Sequence, residues 1–277
     1  MSNLVDLVHI IPPDRDEEPE DIFASAPGLI FTDDTRDHHG DLGSVVVYKS
    51  NRFGHIELRT ADPDREDERQ LFSHYLWNAG IKMAELISDE QDVRWSVKDE
   101  KVLELGAGVG LNGIVATLSG AQEAGTPKIP LAYTTLNTKG AIPQSFASRY
   151  RIEGHEWGDL TSPFAQSHEH SFTRIIAADC YWMLGQHENL VQSMLHFLAP
   201  SGWIFVTSGF HTGRAKLANF FEVAVDAGLG VEQIYDEDVS GIRRSWKAER
   251  DGGREDVIER KRWLVIALLR RRAAQYE

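Results

Sequence analysis

Apolar residues occur along the chain in two patterns, short unbroken runs and longer stretches with helical spacing. The run that begins at Lys101 and the run Phe172–Ala178 are typical of strands buried on both faces of a parallel sheet. Between such runs, as from His187 to Leu198, apolar residues recur every three or four positions, which indicates amphipathic helices. This alternation predicts an α/β fold built on a doubly wound parallel sheet.

Further elements follow from the same two patterns. The last two predicted strands, 232–235 and 263–269, add an antiparallel edge to the predicted sheet. The predicted strands are 129–134, 203–208, 232–235 and 263–269, and the predicted helices are 111–118, 141–150 and 216–227.

The N-terminal third has a different character. Residues 1–40 are rich in proline and acid and are expected to form a flexible arm. The β-rich runs Val45–Tyr48 and His55–Leu58 predict a hairpin, and helical spacing over Glu68–Leu86 predicts a helix. We therefore expect one domain over residues 41–277, divided into an N-terminal hairpin and helix (41–95) and a doubly wound core (96–277).

Composition narrows the possible partners and the compartment. A net charge of −14 argues against nucleic acid as the main partner, because phosphate binding requires clustered Lys and Arg. Cys180 is the single cysteine, so an internal disulfide is excluded and a reducing compartment is expected. The chain begins without a signal-peptide pattern and contains no apolar run of membrane-spanning length. We expect a cytoplasmic protein, with the nucleus as the alternative, and no membrane partner.

The most informative motif is a glycine-rich turn between a strand and a helix. Gly106, Gly108 and Gly110 alternate with other residues immediately before the helix that begins at Leu111. Glycines without a Cβ let the backbone approach a ligand closely, and the helix directs its amide donors at that ligand. Glu104 lies in the preceding apolar strand, where a carboxylate is costly unless it has a partner. A simple tight turn is the alternative interpretation.

Four segments in order resemble class I, seven-strand S-adenosylmethionine (SAM) methyltransferases, in the branch of fungal nicotinamide N-methyltransferase-like and protein-lysine enzymes. They are Leu71–Trp77, Val102–Gly110, Glu156–Asp159 and Ala177–Trp182. The resemblance implies a Rossmann-like seven-strand sheet with an antiparallel last strand and an N-terminal hairpin and helix. It also implies SAM as cofactor.

The resemblance assigns roles to particular residues. Glu104 and the three glycines would hold the cofactor, Trp157 would pack near its adenine, and Asp179 would contact both cofactor and acceptor. Asp179 ends one strand, and His211 and Arg214 follow another, at the edge where open α/β sheets bind ligands. Asp179 and His211 are the candidate catalytic residues. The candidate substrate-binding residues are Tyr75, Trp77, Tyr181, Trp182, His211 and Arg214.

Each of these residues has a simpler interpretation. The alternative role of Trp157 is that of an ordinary half-buried aromatic residue. The alternative for Asp179 is a helix cap, and that for His211 is a loop histidine without a role in the site. Cys180 is expected to be a buried side chain rather than a nucleophile. His168 and His170 lack further ligands at metal-like spacing, so we predict no metal site.

One standard contact of the family is missing from the sequence. Relatives hold the cofactor ribose with an acid at the end of the second strand, but residues 124–152 contain no Asp or Glu. In the best-matching stretch, 131–137, Thr135 or a neighbour stands in place of the acid. Thr134, Thr135 or Asn137 could recover part of the contact, and the interval to Trp157 looks short for the expected helix and strand. Loss of a charge-assisted bidentate contact weakens SAM binding by about a hundredfold. SAM is therefore expected to bind weakly or to have been lost.

Two functions follow from these observations. The first is SAM-dependent N-methylation of a protein lysine, a protein N-terminus or a small amine. The second is a methyltransferase fold that no longer methylates, either a cyclase or pericyclase of fungal secondary metabolism or a noncatalytic binding protein. The acceptor and the oligomeric state are left open by the sequence.

Overall fold

A single large sheet organises the computed structural model, which describes residues 3–12, 37–41, 43–60, 75–127 and 131–272. The strands in this part of the chain are β1 (Val8–Ile11), β2 (His38–His39), β3 (Val45–Ser50), β4 (Gly54–Arg59), β5 (Leu76–Trp77), β6 (Lys101–Leu105), β7 (Glu123–Pro127), β8 (Tyr150–Glu153), β9 (Phe172–Ala178), β10 (Leu198–Gly209), β11 (Leu229–Asp238), β12 (Arg243–Ser245) and β13 (Trp263–Arg271). The α-helices are α1 (Asn78–Ser88), α2 (Leu111–Leu118), α3 (Leu131–Ala141), α4 (Pro163–Ser167), α5 (His187–Phe197), α6 (Arg214–Asp226) and α7 (Val257–Lys261).

The large sheet has the order β12-β11-β13-β10-β9-β6-β7-β8. Its strands from β8 to β10 are parallel, and β13 lies antiparallel between β10 and β11. The Rossmann-like sheet with an antiparallel last strand is therefore confirmed. The short strand β12 pairs with the outer edge of β11, so this sheet has eight strands where seven were expected.

Helices cover both faces of the sheet, which explains the unbroken apolar runs in its central strands. On one face, Ile81 of α1 and Ile114 of α2 are fully buried in the core that also contains Leu58 of the hairpin. On the other face, Leu190 of α5 and Phe220 of α6 are fully buried in a second core. Residues on β6 and β9 contribute to both cores, so the carboxyl ends of these strands are firmly positioned.

The N-terminal hairpin is confirmed, since β3 and β4 pair antiparallel around the turn at 51–53. β1 pairs with β3, and Leu4 donates a backbone hydrogen bond of 2.9 Å to Val239. The expectation of a loosely held arm is thus wrong for Leu4–Ile11, because apolar residues there pack against the hairpin. The rest of the expected arm lies mostly outside the described residues. The division into residues 41–95 and 96–277 stays a prediction.

The helix expected over Glu68–Leu86 begins only at Asn78; residues 61–74, including Leu71, lie outside the described residues. Ahead of it, Leu76 and Trp77 form the strand β5, which pairs with β2. This extended backbone places the residues before α1 beside the end of the sheet rather than on a helix.

The second parallel strand was wrongly placed at 129–134. The strand β7 is Glu123–Pro127, paired with β6 and β8, and Leu131–Ala141 forms the helix α3. The expected helix over 141–150 is replaced by a 3₁₀ turn at Gln144–Arg149. The interval before Trp157 therefore has room for a helix and the strand β8, and it is not shortened.

Asn137 on α3 connects three parts of the fold. Its Oδ1 accepts from the Arg59 backbone N–H at 2.8 Å, and its Nδ2 donates at 3.0 Å to the carbonyls of Arg59 and Val109. The side chain is buried. It thus joins the end of the hairpin to the loop that follows β6, and it is committed to the fold rather than available to a ligand.

We expect Asn137→Ala to destabilise the protein by about 2–3 kcal/mol, because three backbone groups would lose their partner in a buried setting. Urea unfolding measures this loss. Lys139→Ala, an exposed change on the same helix, is the control and should alter stability by less than about 0.5 kcal/mol. Equal midpoints for the two variants would contradict the assignment.

Candidate active site

A cavity of about 550 Å³ opens at the carboxyl ends of β6, β9 and β10. This is the edge at which open α/β sheets bind ligands. Most of the residues that the sequence singled out line it: Tyr75, Trp77, Gly106, Gly108, Trp157, Asp179, Trp182 and His211. The fold therefore brings together residues that are more than a hundred positions apart in the sequence.

The loop after β6 follows the path that its glycines permit. Gly106, Gly108 and Gly110 all have positive φ, and Gly110 caps α2 in the left-handed region. A Cβ on Gly106 would lie 2.5 Å from Sγ of Cys180. The first glycine is thus required both by its backbone conformation and by the close passage of β9.

The support for this loop comes from α3. Thr134 donates its hydroxyl hydrogen bond to the carbonyl of Gly108 at 2.7 Å. Thr135 lies in the helix α3 and not at a strand end, so the alignment that put it in place of the ribose acid is wrong. The strand β7 ends at Pro127, and the sequence still contains no acid from there to Ile152.

Glu104 lies beneath the loop as a fully buried carboxyl group. Its Oε2 accepts from the backbone N–H of Gly113 at 2.9 Å. Burial raises the pKa of Glu104 to about 8, only partly offset by the hydrogen bonds from Gly113 and Asn112. Oδ1 of Asn112, a cavity residue, is buried without a partner among the described residues. A carboxylate and an unpaired amide oxygen fit a cationic group, such as the methionine end of SAM.

The opposite wall of this half of the cavity contains Trp157 and His155. His155 Nε2 lies 3.1 Å from Oγ of Ser193, which also accepts from the Gly158 backbone N–H. Burial lowers the pKa of His155, so its ring is neutral at pH 7. His155 was missed by the sequence reasoning, although its position two residues before Trp157 was an available signal.

Asp179 has an unusual backbone conformation at the base of the cavity. Its φ is 59°, and its Oδ1 accepts from the Ser208 hydroxyl at 2.9 Å and from the Gly209 backbone N–H at 3.2 Å. These bonds join the ends of β9 and β10 and hold the carboxylate toward the cavity. Asp adopts the left-handed region more readily than most residues, and Asp99, His170 and Asp251 share this conformation, so it is the position at the cavity that distinguishes Asp179.

The remaining wall is aromatic and contains one histidine–aspartate pair, with a second pair beyond Trp77. The His211 ring stacks on Trp77 with centroids 4.8 Å apart, and His211 Nδ1 lies 3.9 Å from Asp179 Oδ1. On the outer side of Trp77, the His38 ring lies 5.1 Å away and pairs with Asp37 at 2.7 Å. Nothing in the sequence pointed to His38, because its proximity depends on the pairing of β2 with β5.

Two expected substrate residues do not line the cavity. Tyr181 points into the core, where its hydroxyl donates to the Ala177 carbonyl at 3.0 Å and its ring packs on Phe220. Arg214 is buried in ion pairs with Asp236 and Glu255. Both expectations are corrected: the direction of each side chain is set by partners that sequence position does not reveal.

Two further observations concern other classes of site. Among the described residues, no group of three or more His, Cys, Asp or Glu side chains is arranged to hold a metal ion. In the same residues, the helices are too short and too polar to cross a membrane.

We expect Gly106→Ala to lower the affinity for SAM at least tenfold, because the new methyl group would collide with Cys180. Positive φ adds a folding cost of about 1–2 kcal/mol. Gly140→Ala is the matched control: its Cβ meets nothing within 4 Å on the exposed helix α3, and it should stabilise by about 0.5–1 kcal/mol. Calorimetric titration with SAM and thermal unfolding measure both effects. A Gly106→Ala protein with normal affinity would rule out close approach at the loop.

The buried carboxyl group gives a second expectation. The pKa of Glu104 is raised from 4.5 to about 8 in the folded protein. Its contribution to stability is therefore complete below the unfolded value and is lost as pH rises through the folded value. Relative to Glu104→Gln, the wild type should lose stability between about pH 5 and pH 8 and then level off. Its SAM affinity should rise over this range, because a cationic ligand favours the carboxylate, while the variant binds more weakly and without this slope. Calorimetric titration at several pH values measures the affinity for SAM. The same pH dependence in the wild type and in Glu104→Gln would contradict a contact between Glu104 and the cationic end of SAM.

Comparison with known proteins agrees with this geometry. A family model described as lysine methyltransferase matches residues 64–225, more than half of the chain. The protein N-terminal and lysine N-methyltransferase EFM7 of Candida glabrata is 32% identical over 228 residues, which cover 79% of this chain and 83% of the relative. Its counterpart in Schizosaccharomyces pombe is 29% identical, covering 68% and 74%. A solved TehB-like SAM-dependent methyltransferase from Corynebacterium glutamicum is 17% identical, with a TM-score of 0.48 over 69% of this chain and 87% of that chain. The chain belongs to the lysine methyltransferase family and uses S-adenosylmethionine as its cofactor.

Proposed function

We propose that the protein transfers a methyl group from SAM to an amine nitrogen of another protein, either a lysine side chain or an N-terminus. The relatives carry names with these two acceptors. The observation that carries the proposal is the shared cavity, in which the glycine loop and Trp157 face Asp179, His211 and the aromatic wall.

We assign the cofactor to the half of the cavity lined by Gly106, Gly108, Asn112 and Trp157, with Glu104 buried beneath the loop. SAM supplies, when bound, an electrophilic methyl group. Glu104 and Asn112 bind the cationic end of the cofactor, because they offer oxygen acceptors in a setting with few other partners. Trp157 offers an indole face to a purine.

The acceptor half is formed by Asp179, His211, Tyr75, Trp77 and Trp182. Asp179 attracts the ammonium form of the acceptor and orients it, since its carboxylate is held by two hydrogen bonds. The imidazole of His211 lines the cavity close to Asp179. It accepts the proton that the ammonium group must lose, which leaves the nitrogen with the lone pair needed for transfer. The aromatic side chains exclude water and confine the nitrogen.

In this proposal the lack of an acid after β7 lowers the affinity for SAM more than it affects the transfer of the methyl group. Without a carboxylate for the ribose, SAM binds through the loop, Glu104 and Trp157, and we expect weak binding. The same absence is the observation that favours the non-methylating alternatives, a cyclase, a pericyclase or a noncatalytic protein. The experiment below separates them from methyl transfer.

The kind of methyl acceptor and the cellular compartment are proposed from the charge and the composition of the chain. With a net charge of −14, a basic protein segment suits this chain better than nucleic acid, and a small amine is the lesser alternative. The single cysteine, which is buried, suits the cytoplasm or the nucleus.

The proposal is tested by incubating the protein with labelled SAM and a protein extract from cells that lack it, followed by mass spectrometry. We expect mono- or dimethylation of a lysine or an N-terminal amine. SAM binding without any transferred methyl group would favour the non-methylating alternative. No SAM binding at millimolar concentration would overturn both the function and the site.

Asp179→Asn should lower kcat/KM for methylation about a hundredfold, because the carboxylate that orients the acceptor is lost. We expect the dissociation constant for SAM to change less than about threefold, since the loop and Glu104 are unaltered. Asp99→Asn is the matched control: Asp99 also has positive φ, 62°, and it is exposed. Equal activity of the two variants would remove Asp179 from the acceptor site.

A further inference from the structure

The loop that contributes His211 to the cavity is packed against a segment outside the core sheet. We name residues 210–213 the acceptor loop and residues 239–262, between β11 and β13, the insertion. The acceptor loop leaves β10 and leads directly into α6, whose first residue is Arg214. The insertion contains β12 and α7 and covers this junction.

Arg214 connects the junction to both the sheet and the insertion. Its Nη2 donates to Oδ2 of Asp236 on β11 at 2.9 Å, and its Nε donates to Oε2 of Glu255 in the insertion at 2.9 Å. Nη1 lies 3.3 Å from the carbonyl of Lys247, also in the insertion. The side chain of Arg214 is 4% exposed and that of Asp236 is fully buried.

Aromatic and backbone contacts extend this attachment into the acceptor loop itself. The Arg214 guanidinium lies 3.7 Å from the Phe210 ring, and Phe210 stacks with Trp246 of the insertion at a centroid distance of 6.0 Å. Nη2 of Arg260, on α7, lies 3.5 Å from the carbonyl oxygen of His211. The acceptor loop is thus held between Asp236 of the sheet and side chains of the insertion.

Such a set of charges is stable only while it remains paired. A buried guanidinium requires its carboxylates, and the loss of one leaves a charge without compensation. Asp236 also pairs with Arg244 and Arg250, which lie in the insertion, and Glu255 pairs with Arg244 as well as with Arg214. A change at Glu255 therefore removes the carboxylate by which the insertion holds Arg214, while Asp236 keeps its arginine partners.

We infer that the insertion is the positioning element of the acceptor half, and that Arg214 and Glu255 act through His211. This inference rests on the proposed function, because it assigns to His211 a place beside the acceptor. The contacts that hold the cofactor half are different ones among the described residues: Thr134 donates to the Gly108 carbonyl, and Ser193 accepts from the Gly158 backbone N–H beside Trp157.

The test is Glu255→Gln, which keeps the shape of the side chain and removes its charge. We expect the KM for the acceptor to rise about three- to tenfold and kcat to fall by a similar factor, because misplacement of a site group slows transfer. The dissociation constant for SAM should stay within about twofold of the wild type. If Glu255 had a purely structural role, the substitution would weaken the binding of the cofactor and of the acceptor together.

A second readout does not depend on methyl transfer. In histidine-labelled protein, ring currents from Trp77 shift the His211 resonances, so a displaced acceptor loop moves them. We expect such a change in Glu255→Gln, with the resonances of the buried His155 and His187 unchanged. Failure of the proposed function would appear as a wild type without transfer, while failure of this inference would appear as unmoved His211 resonances.

Glu232→Gln is the matched control, because it also removes one carboxylate charge from a pair with an arginine. Glu232 on β11 pairs with Arg270 on β13, away from the acceptor loop. It should leave KM, kcat and the His211 resonances as they are in the wild type. Should Glu255→Gln fail to fold, Arg260→Gln removes the direct contact with the His211 carbonyl and should also move the His211 resonances. Unchanged His211 resonances and an unchanged KM in the folded variants would overturn the inference.

Discussion

The backbone of Gly106 passes so close to β9 that a single methyl group would lie 2.5 Å from the Cys180 sulfur. This contact fixes the distance between the ends of β6 and β9, and with it the width of the cavity between them. Burial raises the pKa of the Cys180 thiol, so this side chain is a neutral packing surface rather than a nucleophile. The same approach leaves no room for a side chain at Gly106, so the first position of the loop presents only its backbone to the cavity.

The two halves of the cavity are stabilised in different ways. The cofactor half consists of parallel strand ends and the start of α2, with buried apolar residues on both faces of the sheet. The acceptor half is assembled from the β2–β5 pair, the acceptor loop and the insertion, which are joined by polar and aromatic contacts. The first half is therefore held by the core of the large sheet, and the second by contacts among segments outside that core.

Much of this organisation was predictable from the sequence. β6, β9 and the glycine turn were recognised because apolar runs and positive-φ glycines are local signals, and Asp179 followed from its place at a strand end. β7 was missed because Glu-Ala-Gly-Thr-Pro has low intrinsic strand propensity and becomes a strand only through pairing with β6 and β8. Arg214 was assigned to the substrate because its partners Asp236 and Glu255 are 22 and 41 positions away. No spacing rule connects residues that meet only after the sheet has formed.

The hydrogen bond from the Leu4 backbone N–H to the Val239 carbonyl has a practical consequence for anyone preparing this protein. Val239 is the first residue of the insertion, so a truncation that removes Leu4 takes a backbone contact away from the segment that packs against the acceptor loop. β13 ends at Arg271 beside the first residue of β11, at the edge of the sheet remote from the cavity. A tag fused after that strand leaves both halves of the site undisturbed.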